Sequence, residues 1–313
     1  MVYLTMKKLL LFVVWFGVGG LMGLAMDRVM GQAGQVVGFD SAGILDGSLI
    51  RISGQFAFTE GAAVDREGNI FFTDQPNNKI WEYTLDRQLV LFMDSAGRSN
   101  GMYFDRKGRL VTCADEEEQL WSIDRHKKVK ILVTDLGGKR FNGPNDLWID
   151  AQGGIYFTDP FYPRDYWTRT KPEMEGEKVY YLAPGASAAV MAAEDVKKPN
   201  GLVGTPDGHY LYVADLGAGK TYKYTISGDG KLADRVLFCN QGSDGMTLDA
   251  QGNVYLTGNG VTVYNSEGKK IARIPVPEKW TGNLCFGGKD RTTLFITASA
   301  GVYVVPMRVK GVE

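Results

Sequence analysis

The sequence predicts an all-β protein, a six-bladed β-propeller with four-stranded antiparallel blades around a central metal channel. Three observations carry that expectation. One unit recurs six times: a small polar pair, alternating apolar residues, a turn usually of the form Asp-x-x-Gly, and a second apolar strand. Its successive starts lie 40, 45, 55, 44 and 38 residues apart, which is the period of a propeller blade. The 40 glycines against 11 prolines suit many short strands joined by hairpins.

The first unit opens at Glu60-Gly61, turns at Asp65 to Gly68 and runs on through Ile70 to Asp74. The next open at Asn100-Gly101, Asn145-Asp146, Asn200-Gly201 and Asp244-Gly245, and the last at Gly282-Asn283. Third and fourth strands are legible as well, as in Lys79 to Tyr83 followed by Gln88 to Met93. One such sheet cannot bury both of its faces alone, whereas six arranged radially can. The propeller is expected over residues 54–310. The stretches Ile50 to Ile52 and Phe56 to Phe58 are candidates for an outer strand that closes the ring.

The N-terminus has a different character. Lys7 and Lys8 precede an apolar run from Leu9 to Ala25, ending in the small residues of Gly23-Leu24-Ala25. Residues 1–25 are therefore expected as a signal peptide or a retained N-terminal anchor, which predicts export to the periplasm or the exterior. Residues 26–53, polar and Gly-rich, are expected as a linker. A net charge of −1 and a pI near 6.2 leave no basic excess for nucleic acid. No membrane partner is expected beyond that anchor. The three cysteines, Cys113, Cys239 and Cys285, sit in apolar runs without metal spacing and read as small buried hydrophobes. His126 and His209 lie in turn sequences, which disfavours a histidine-based mechanism.

The first strand of a propeller blade is innermost, so Glu60, Asn100, Asn145, Asn200, Asp244 and Gly282 are expected around one axis on one face. Any one Asn-Gly or Asp-Gly pair alone reads as a turn. Five short oxygen-bearing side chains in register read instead as the ligand set of a hard cation, since calcium takes six to eight oxygens. The absence of His and Cys argues against zinc as the preferred metal. One divalent cation is expected, calcium first, with zinc, magnesium or manganese as the alternatives. Asp74, Asp115, Asp159 and Asp215, at the ends of second strands, read as turn caps. Asp159 also begins the longest loop, which runs to about Glu177. Long loops carry function, and this one offers Tyr162, Arg164, Trp167 and Arg169 as walls of a pocket.

From Phe58 to Arg308 the sequence resembles the gluconolactonase/regucalcin family, also called the senescence marker protein family. The likeness rests on Thr59-Glu60-Gly61, on Lys139 to Asp146 running into Ile155 to Pro160, and on Pro199-Asn200-Gly201. It is completed by Ser243-Asp244-Gly245 and Cys285-Phe286-Gly287-Gly288. The resemblance implies a catalytic divalent cation bound by Glu60, Asn145, Asn200 and Asp244, with Asp244 also serving as general acid and base. It implies a small-molecule lactone as substrate. Arg140 falls near a substrate-binding arginine of some members. Asn100, Arg140, Tyr162 and Trp167 are the expected substrate contacts. The alternatives are a phosphotriesterase-like hydrolase using the same metal arrangement, or a non-catalytic, metal-stabilised binding propeller.

Overall fold

The computed structural model describes residues 38–312. The expected signal peptide or anchor and the first part of the expected linker lie outside the described residues. Within them the chain forms six radial antiparallel sheets, and helix is confined to one short 3-10 turn, Gln75–Asn77. The six-bladed expectation holds.

Blade 1 comprises Thr59–Val64, Ile70–Asp74, Lys79–Tyr83 and Leu89–Asp94, hydrogen-bonded in that order from the axis outward. Blades 2 to 4 repeat the pattern, beginning with Ser99–Phe104, Leu147–Ile149 and Pro199–Gly204. Blade 5 begins with Met246–Leu248 and gains Phe39–Asp40 as a fifth, outermost strand. Blade 6 takes Thr281–Gly287, Thr293–Ala298 and Gly301–Pro306 from the end of the chain, and Ile50–Ser53 from its beginning. The described part of the stretch expected as linker thus carries two blade strands, and the ring closes by pairing Ile50–Ser53 with Gly301–Pro306.

Phe56 to Phe58 does not form a strand. Phe56 is instead buried edge-on against Phe72 and Trp81, with ring centroids 5.1 and 5.6 Å away. The core lies between the blades and is rich in aromatic rings. Phe141 packs edge-on against Phe157 and Tyr180 at 5.2 and 5.3 Å. Burying each such ring contributes about 2–3 kcal/mol. Gly204 is required where blades 3 and 4 meet, because a Cβ there would enter the Trp148 ring. All three cysteines are buried.

The strand-ending aspartates tie one blade segment to the next. Asp74 accepts the amides of Ala57 and Phe58 at 3.0 and 3.2 Å. Asp159 accepts those of Asn142 and Gly143, both at 2.9 Å. Asp215 accepts Lys197, Lys198 and Ala218 at 2.9, 3.0 and 3.0 Å. A carboxylate satisfying several amides removes the cost of donors that would otherwise go unpaired. Asp215→Ala strands three of them. Urea unfolding of this variant should show a loss of about 3 kcal/mol against wild type, whereas a loss below about 0.5 kcal/mol would mean that water replaces the carboxylate.

Candidate metal centre

The six first strands stand side by side around the axis. In four of them the pairing with the second strand slips just past the opening residue, between Glu60 and Ala63, Ser99 and Met102, Pro199 and Leu202, and Thr281 and Leu284. Such a bulge takes a residue out of the ladder and re-aims its side chain. The polar openings therefore converge at one mouth of the channel. Glu60, Asn100, Asn145 and Asn200 are buried there, while Asp244 remains partly accessible.

Glycine makes this convergence possible at two points. Gly61 has φ +53°, and a Cβ on it would run into the Asn100 carbonyl. At Gly282 a Cβ would lie 2.8 Å from Glu60 Cδ and Oε1. Blade 6 therefore contributes no donor because its place is taken by the Glu60 carboxyl.

Glu60 and Asp244 are within hydrogen-bonding distance of each other. Burial, followed by the charge of Asp244, pushes the Glu60 carboxyl well above the usual carboxylate range. Burial also raises Asp244, against hydrogen bonds from Trp280, Glu60 and Asn200 and the nearby Arg164 charge. The Trp280 indole N–H donates to Asp244 Oδ2 at 2.5 Å. Behind them on the axis, burial raises Asp146 to about 8.

The donor set fits a hard cation. Asn200 is oriented by its amide nitrogen, which donates to the Tyr162 hydroxyl at 3.3 Å, and its Oδ1 is buried without a hydrogen-bond partner. A bare, buried carbonyl oxygen is costly unless it meets a cation. Two carboxyls that share one proton carry a single negative charge, and two when that proton leaves. Among the described residues no three His, Cys, Asp or Glu side chains cluster as metal ligands. A cation here therefore draws on carboxamide oxygens as well as carboxylates, the mixture that suits calcium.

The expected substrate contacts divide. Tyr162 reaches the site through Asn200, and burial raises its hydroxyl to about 12. Asn100 lines the channel beside Gly61. Trp167 lies under the loop instead, against Gly143, with its indole nitrogen donating to the Asp115 carbonyl at 2.8 Å. Arg140 points away into a two-stranded surface ribbon, Asp135–Leu136 with Lys139–Arg140. Its Nε donates to Glu173 at 2.8 Å, and nearly half of its side chain is exposed. Proximity to Asn145 in sequence does not carry it to the channel, because Phe141 turns into the core between them. Trp280 was not anticipated; its only signal is its place just before the opening of blade 6.

Residues 58–300 match the family model described as the SMP-30/Gluconolactonase/LRE-like region. The chain is 29% identical over 291 residues to a gluconolactonase of Zymomonas mobilis, covering 83% of this chain and 81% of that one. A solved gluconolactonase from Xanthomonas campestris superposes with a TM-score of 0.79 at 28% identity, over 85% of this chain and 91% of that one. The calcium-binding protein regucalcin of Agrobacterium tumefaciens shares the fold, with a TM-score of 0.69 at 19% identity over 87% and 96% of the two chains.

A cation entering the site would displace the proton held between Glu60 and Asp244. Because their carboxyls are raised, that proton persists above the usual carboxylate range, so cation affinity should climb with pH and level off once it is lost. Calcium titration calorimetry over a pH series should show affinity still rising with pH above the usual carboxylate range before it levels off. An affinity that levels off within the usual carboxylate range would contradict the shared proton.

Proposed function

We infer that the chain, which belongs to the SMP-30/Gluconolactonase/LRE-like family, is a lactonase that opens a sugar-type lactone by hydrolysis at the channel mouth. One observation carries the reading: the Glu60–Asp244 carboxyl pair beside the unpartnered Asn200 Oδ1. The relatives named gluconolactonase support the substrate class.

Glu60, Asn200 and Asp244 would hold the cation, with Asn145 as the fourth ligand. When bound, a divalent cation supplies Lewis-acid polarisation of the lactone carbonyl and charge to balance the developing oxyanion. The chain's own residues then manage the proton. Asp244 is the partly accessible member of the pair, and the Trp280 N–H fixes one of its oxygens. Its carboxylate accepts a proton from the attacking water as the new C–O bond forms. It returns that proton to the ring oxygen as the ester C–O bond breaks, leaving the hydroxy acid. Glu60, fully enclosed against Gly282, is suited to ligation alone. Export to the periplasm or the exterior is proposed from the charged start and apolar run of residues 1–25.

Hydrolysis of D-glucono-δ-lactone, followed by acid release, tests the reading. Asp244→Asn should fold normally and lose at least about 1000-fold in kcat. Glu60→Gln should be partly rescued by raising the calcium concentration. Wild-type turnover in the Asp244 variant would overturn the assignment of the base.

A further inference from the structure

Asp115 breaks the pattern of the strand-ending aspartates. Its counterparts Asp74, Asp159 and Asp215 each accept at least two main-chain amides from the segment entering their blade. In blade 2 the equivalent amide, that of Arg98, goes instead to Asn78 Oδ1 at 2.7 Å. Asp115 is thereby released, although it is as buried as the others. Its Oδ2 accepts Arg164 Nε at 2.8 Å, Gln75 Nε2 at 3.2 Å and the Tyr166 hydroxyl. Two of those three donors come from the long loop after Asp159, and the Trp167 indole is fastened to the Asp115 main chain as well. The Arg98 guanidinium stacks over the Tyr166 ring at 4.4 Å. An aspartate that elsewhere caps a blade here grips a loop from a neighbouring blade.

What it holds in place is Arg164. This guanidinium lies beside the Tyr162 ring, 5.9 Å from its centroid, and Tyr162 contacts Asn200. Its charge acts on both Glu60 and Asp244. About a quarter of the side chain is exposed, and among the described residues only Nε makes a hydrogen bond. A guanidinium fixed through Nε presents its two Nη groups as a rigid fork that suits paired oxygen atoms.

We propose that Arg164, positioned by Asp115, is the specificity-determining residue of the site, gripping the hydroxyl oxygens of a polyhydroxylated lactone. The proposal rests on the lactonase reading and names the substrate feature that the site selects. Charge favours a neutral polyol over an anionic substrate: Asp115 offsets Arg164, and a divalent cation would offset Glu60 and Asp244, leaving no surplus positive charge.

The test compares kcat/KM for D-glucono-δ-lactone with that for δ-valerolactone, which has the same ring without hydroxyls. Wild type should favour the hydroxylated ring strongly, and Arg164→Met should cut the selectivity ratio about 100-fold, because a site built to bind hydroxyls discriminates through those bonds. Arg164→Lys, which keeps the charge and loses the fork, should recover only a small part of the ratio. Asp115→Asn should lower the ratio chiefly through a higher KM for the hydroxylated lactone, with kcat for that substrate largely kept. Equal losses on both substrates, or an unchanged ratio, would overturn the role of Arg164. A wild-type protein that hydrolyses neither lactone would sink the lactonase reading, and this proposal with it. Should Asp115→Asn fail to fold, the two Arg164 variants decide.

Discussion

Two carboxyls are forced together in a place that tolerates one negative charge poorly. At an effective dielectric near 20, unit charges about 4 Å apart interact by about 4 kcal/mol, so Glu60 and Asp244 cannot both be ionised there without compensation. A shared proton or a cation would resolve the conflict, and the bare, buried Oδ1 of Asn200 would suit a cation. Much of the surrounding architecture serves this pair. Gly282 gives Glu60 its space, Trp280 holds Asp244, and Tyr162 turns the Asn200 amide.

Closure of the ring is what makes the meeting unavoidable. Glu60 belongs to blade 1 and Asp244 to blade 5, nearly two hundred positions apart in the chain. They meet because six sheets close on themselves, with Ile50–Ser53 pairing to Gly301–Pro306 as the final seam. Repulsion at the mouth is thus borne by a strand seam and by interblade aromatic packing far from it. Binding of a cation in such a scaffold returns its free energy as stability of the whole ring.

The fold and the converging ring of polar openings were legible because both derive from a repeat, and a repeat places equivalent residues at equivalent points. What escaped were the exceptions to it. Asp115 looks in sequence like Asp74, Asp159 and Asp215, and only the substitution of Asn78 as the cap for Arg98 sets it apart. Trp280 reaches a residue of the preceding blade from the loop entering blade 6, a contact without periodicity. Arg140 misled in the other direction: five residues from Asn145, it is separated from the channel by a surface ribbon and the buried Phe141. Trp167, although in the expected loop, fastens that loop from beneath instead of facing the substrate.

The proposed cation would sit on the axis between Glu60, Asn200 and Asp244. Crystals soaked in manganese and measured near its absorption edge test it directly through anomalous scattering. A single strong peak is expected at the channel mouth, within ligand distance of Glu60, Asn200 Oδ1 and Asp244. No peak there, or one bound only by surface carboxylates, would contradict it.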